Sequence, residues 1–135
     1  MRHQAVTIHD RRKVGDGHVL AFGLIDILRL AETDVESSSW RCSDVDGGGE
    51  LMEELDHVSS GNAVISGAEM LRLAGGVYQM IDGDFEAYRP DEPRHWLVIR
   101  AIDSSEYVVS TDNERLLARV RERFCDVRDS PMDAE

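Results

Sequence analysis

Residues 77–89 read Val77-Tyr78-Gln79-Met80-Ile81-Asp82-Gly83-Asp84-Phe85-Glu86-Ala87-Tyr88-Arg89, and the fold class turns on this stretch. Two runs of β-forming side chains, 77–81 and 85–89, flank Asp82-Gly83-Asp84. Asp-Gly between such runs is a strong cue for a tight hairpin turn. A third run, 95–102, carries Trp96, Leu97, Val98 and Ile99, and the turn formers Asp103-Ser104-Ser105 return it into a fourth run at 106–110. The expectation is a four-stranded antiparallel meander over about residues 77–110. Trp96, Val98 and Arg100 alternate with Leu97, Ile99 and Ala101, so both faces of the third strand are largely apolar and it is expected in the middle of the sheet.

Helix signals bracket the meander. Ser66-Gly67-Ala68-Glu69 and Thr111-Asp112-Asn113-Glu114 both have the spacing of a capping box, in which a hydroxyl accepts from the amide three residues on while a glutamate reaches back. The first opens a short helix with Met70, Leu71 and Ala74, ended by a left-handed residue at Gly75-Gly76. The second opens a closing C-terminal helix over about 112–124, with Leu116, Leu117, Val120 and Phe124 on one side.

Upstream, residues 19–31 fit either a strand feeding a helix or one buried helix, because periodicity does not separate the two. Residues 37–43, around Trp40, read as a short strand bounded by the breaker run Asp46-Gly47-Gly48-Gly49. Residues 50–58 form an amphipathic helix with Leu51, Leu55 and Val58 on its apolar side. Without a repeat or a Pro- or Ser-rich linker, residues 1–135 make a single α+β domain packing helices on the meander, with flexible ends at 1–5 and 129–135.

The chain has 27 acids against 15 basic residues, a formal charge of −12, with 41% hydrophobic residues and a mean hydropathy of −0.36. Such a balance disfavours nucleic acid, whose phosphates attract basic surface. The longest apolar stretch, 19–31, is interrupted by Gly23, Asp26 and Arg29 and is short of the roughly 20 residues that cross a bilayer. The first thirteen residues are polar and charged, so the protein is expected in the cytoplasm, with Cys42 and Cys125 as thiols and no membrane association.

The charge is uneven. Residues 1–25 hold Asp10 and Asp16 against Arg2, Arg11, Arg12 and Lys13, a balance of +2, whereas residues 26–60 hold ten acids against Arg29 and Arg41, a balance of −8.

Chemistry-bearing motifs are weak. Glu54 and His57 have Glu-x-x-His spacing, but a carboxylate-bridged metal site needs a second such helix. Asp44-Val45-Asp46-Gly47-Gly48-Gly49 begins like a calcium loop, yet the twelfth position is Leu55 where a bidentate acid is required. Asp82 and Asp103 are explained by turns, and no histidine, thiol or serine sits in a nucleophile-elbow context. Arg115, Arg119 and Arg123 make a basic ridge on the last helix, expected to be neutralised by neighbouring acids. No cofactor, metal or catalytic set is expected, and enzymatic activity is not the favoured class.

The favoured expectation is a small acidic protein–protein interaction domain that binds or neutralises a basic partner, inhibitor-like or immunity-like by charge analogy. Its contact candidates are Asp44, Asp46, Glu50, Glu53, Glu54 and Asp56, with Trp40 as aromatic anchor. One alternative is a small-molecule-binding domain or small enzyme with a pocket between meander and helices, built from Tyr78, Trp96 and Tyr107 with Arg100 as anion anchor. Another is a structural domain that self-associates into a homo-oligomer through a sheet edge.

Overall fold

In the computed structural model, which describes residues 3–130, the long-range partner of the Asp82-Gly83-Asp84 stretch sets the architecture. Strand β1 (Gln4–Ile8) is followed by a hairpin of β2 (Arg11–Val14) and β3 (Gly17–Leu20). Next come helix α1 (Leu24–Leu28), a 3-10 turn at Arg29–Ala31, α2 (Glu32–Ser37) and strand β4 (Ser39–Gly48). Helix α3 (Met52–Ser60), β5 (Ile65–Ser66) and α4 (Gly67–Gly75) lead into β6 (Gln79–Tyr88). Strands β7 (His95–Ile102) and β8 (Glu106–Thr111), helix α5 (Glu114–Arg123) and β9 (Val127–Asp129) complete the chain.

The fold is α+β with an antiparallel sheet, but the sheet has seven strands in the order β5-β4-β6-β7-β8-β1-β9, beside a separate two-stranded β2–β3 sheet. The four-stranded meander is thus corrected. The runs 77–81 and 85–89 are not two strands of a hairpin: β6 passes straight through Asp82-Gly83-Asp84. Gly83 pairs with Ala101 on one side, while Asp84 pairs with Ser43 on the other. Two ten-residue strands, β4 and β6, zip together over almost their whole length, and that ladder outweighs a local turn preference. The strand takes a glycine at position 83 because a Cβ there would lie 2.9 Å from the Phe85 ring.

The breaker run is corrected for the same reason. Gly47 and Gly48 are strand residues paired with Met80 and Gln79, and a Cβ on Gly47 would collide with the Gln79 carbonyl. Gly49 has φ +142°, and a Cβ there would lie 2.5 Å from the Gly76 carbonyl. The glycines let β4 end tightly against the approach to β6. Helix α3 then starts at Met52 and packs alongside β4.

The expectation of a central third strand holds: β7 is fourth of the seven. Residues 19–31 divide into the end of β3 and helix α1, so the strand-plus-helix alternative is the one realised. Of the capping box at Ser66 the hydroxyl half forms, accepting from the Glu69 amide at 3.1 Å, whereas the Glu69 carboxylate pairs with Arg72 instead of reaching back, and Gly76 ends α4 with φ −103° and not in the left-handed region. For the last helix the cap moves from Thr111 to Asn113, whose side chain accepts from the amides of Arg115 and Leu116. The Thr111 hydroxyl instead donates to the Trp96 carbonyl at 2.7 Å. Gln4 and Ala5 lie in β1 and Asp129 in β9, so these parts of the expected flexible ends are paired strand. Residues 1, 2 and 131–135 lie outside the described residues.

One face of the sheet carries the core. Trp40, Phe85, Ile99, Tyr107 and Val109 point into a single apolar cluster with Leu24, Ile27, Val35, Met70, Leu73, Leu116 and Val120 from the helices. The register puts Arg41, Glu86, Val98, Ser110 and Ala5 in one row of the opposite face. Ser43, Asp84, Arg100, Val108 and Thr7 make the adjacent row. Among the described residues no helix is long and apolar enough to cross a membrane.

Candidate functional site

The acidic candidates fall on two neighbouring elements, and each is placed by an apolar residue beside it. On α3, Leu55 is fully buried, which turns Glu53, Glu54 and Asp56 outward. With Glu50 and His57 they line a shallow concavity of about 610 Å³. Glu54 is held by Arg72 of α4, which also grips Glu69. Among the described residues, Glu50, Glu53 and Asp56 form no ion pair.

Asp44 and Asp46 project from β4, which packs beside α3, at the register shift between Ser43 and Gly47. Both are exposed, and Asp44 takes φ 53° as the strand bulges. Across the ladder stand Asp82 and Asp84 of β6. The Asp82 carboxylate accepts from the Asp103 amide at 3.0 Å, so these two residues join β6 to the β7–β8 turn. Burial raises the Asp84 pKa; the facing Arg100 guanidinium, 3.4 Å away, opposes that, and Asp44, Glu86 and Asp82 add to it. Asp84 therefore sits in a field of like charge, and its expected place beside a turn is replaced by a mid-strand position.

Trp40 is not available as an anchor. It is 0% exposed and its indole N–H donates to the Val35 carbonyl at 3.1 Å, because β4 alternation turns it into the core.

The four pocket candidates are split by strand geometry. Tyr78, 72% exposed, and buried Tyr107 line the same cleft of about 240 Å³. Trp96 is buried elsewhere, donating to the Ser38 hydroxyl at 2.9 Å beneath the Arg89 guanidinium. Arg100 pairs in register with Asp84, whereas Ala101, one residue on, pairs with Tyr107. Adjacent strand residues point to opposite faces, so Arg100 and Tyr107 cannot meet in one pocket. The cleft's charged wall residue is Arg12, which was not foreseen. The signal for it was present: Gly15-Asp16 between Arg11–Val14 and Gly17–Leu20 is a hairpin cue.

Cys42 is buried against Met70 at 3.7 Å, and burial pushes its thiol up to about 12, which keeps it protonated. Cys125 is exposed, and both cysteines are free. Among the described residues no group of three or more His, Cys, Asp or Glu side chains is placed to hold a metal ion. On α5, Arg119 donates to the Leu30 carbonyl and Arg121 pairs with Asp129, which accounts for part of that helix's positive charge. No protein-family model matches the chain, and neither a curated protein nor a solved structure is significantly similar to it.

Proposed function

We propose that the protein is a cytoplasmic interaction domain that binds a basic protein partner through the acidic surface of α3 and β4. The observation that carries this reading is the set of exposed carboxylates, Asp44, Asp46, Glu50, Glu53 and Asp56, that form no ion pair among the described residues. Clustered like charges cost self-repulsion in the free protein, and a complementary partner removes it while gaining a steered, fast encounter. The concavity on α3 supplies shape, and Glu54, already held by Arg72, supplies a fixed edge to it. The same properties suit a neutralising protein whose partner is a basic nuclease-like toxin, with the basic surface masked on binding.

The test is affinity capture from native lysate with the wild type and with a Glu50→Gln/Glu53→Gln/Asp56→Asn variant. A basic protein should be retained by the wild type, lost between about 0.05 M and about 0.15 M salt, and absent from the variant. Retention that ignores both salt and these substitutions would sink the reading.

A further inference from the structure

We infer that the cleft between the β2–β3 hairpin and the start of β6 binds an amphipathic monocarboxylate, a small molecule with one carboxylate and an aromatic or aliphatic body. Arg12, paired across the hairpin with Val19, lines the cleft together with Leu20, Phe22, Leu24, Tyr78 and Met80. Its volume of about 240 Å³ lies below the roughly 300–1,000 Å³ of drug-sized sites, which limits the occupant to a small body.

The polar inventory selects the headgroup. Tyr107 is 1% exposed, and the Gly23 amide is committed to the Asp26 carboxylate at 2.8 Å. Arg12 is the charged residue of the lining, and among the described residues its side chain makes no ion pair or hydrogen bond. Arg11 and Lys13, its neighbours on β2, turn to the other face of the hairpin and are not part of the lining, so Arg12 alone brings positive charge to the cleft. Arg11 fixes the hairpin by donating to the Ser105 carbonyl at 3.0 Å. A guanidinium recognises a carboxylate through two parallel hydrogen bonds, and the apolar lining takes the rest of the ligand.

Ser104 lines the cleft, and beside it exposed Asp103 is tied to Asp82. A basic side chain would meet Arg12, which separates this site from the acidic surface of α3. Tyr78 is held over the mouth by its amide donating to the Gly48 carbonyl at 2.9 Å, and its exposed ring offers a stacking face.

The experiment is titration of the ¹⁵N-labelled protein with 3-phenylpropionate and octanoate, each beside its uncharged amide. The carboxylates should shift the amides of Arg12, Leu20, Gly23, Tyr78 and Ser104 saturably, with the amides at least tenfold weaker. Arg12→Gln should weaken carboxylate binding about tenfold, equivalent to about 1.4 kcal/mol, and leave amide binding unchanged. Because Arg12 is exposed, the variant keeps its fold, which its own spectrum reports. The inference is overturned by any of three results: no saturable shift at these residues up to about 10 mM, equal affinity for acid and amide, or an Arg12→Gln variant that binds like the wild type. The Glu50→Gln/Glu53→Gln/Asp56→Asn variant should bind the carboxylates as before, so failure here and failure of the basic-partner reading are separate outcomes.

Discussion

A buried glycine inside a strand and a half-buried ion pair show how much single residues settle in this molecule. Gly83 is packed under the Phe85 ring, so Gly83→Ala forces a ring or strand shift. Overpacking of this kind costs roughly 1–3 kcal/mol, and urea unfolding should show that loss with an unchanged slope. Asp112 receives both terminal nitrogens of Arg89, at 2.9 and 3.1 Å, and this hydrogen bonding lowers its pKa, with burial acting against it. A carboxyl whose folded pKa is depressed stabilises the protein above its unfolded value, and that contribution is lost as pH falls through the folded value. The difference in stability between wild type and Asp112→Asn should therefore be full above about pH 4 and close as pH drops further. Denaturant titrations over that range measure it, and a difference that is constant with pH would refute the assignment.

At the scale of elements, the β2–β3 hairpin is exposed along β2 and the start of β3, with Val19 and Leu20 half-buried, and it depends on its base. Asp10 anchors it: the carboxylate accepts from the Cys125 and Asp126 amides at 2.7–3.0 Å, and its carbonyl accepts from Ala21. Asp10→Ala leaves two amides without their acceptor and should cost about 1–3 kcal/mol. Hydrogen exchange should quicken at Ala21, Cys125 and Asp126, and through the hairpin, while β7 keeps its protection. The elements also show where local signals suffice. The Ser66 hydroxyl cap involves neighbours in sequence, so it is legible there and forms, although the Glu69 carboxylate goes to Arg72 and leaves the box half made. Thr111 has the same local pattern, but the Trp96 carbonyl, fifteen residues away, claims its hydroxyl and moves the cap to Asn113. The Asp82-Gly83-Asp84 turn cue fails in the same way, because β4 supplies a partner that the cue does not contain.

For the whole molecule, the dominant physical fact is the −12 charge, together with the acidic surface that α3, β4 and Glu50 between them present. Self-repulsion within that surface destabilises the folded state in dilute salt and is screened over about 8–10 Å near physiological ionic strength. Glu50→Gln/Glu53→Gln/Asp56→Asn should thus unfold at higher temperature than the wild type at low salt, with the gap shrinking as salt is added. Salt-resolved thermal melts check this, and a variant less stable at every salt concentration would show that these acids have a structural role.

The sequence by itself determined the α+β class, the central position of the 95–102 strand, the Ser66 cap and the outward acids of α3. Each follows from composition, from alternation along one strand, or from contacts within one turn of helix. Tertiary structure alone decided that β4 and β6 run unbroken through their glycines, that Trp40 is core, and that Arg100 and Tyr107 stand on opposite faces. It also decided that Arg12 lines the cleft shared by Tyr78 and Tyr107. These outcomes depend on pairing between distant residues, and for Trp40, Arg100 and Tyr107 the partner's backbone fixes both register and face, so that a one-residue slip would turn them to the other side of the sheet.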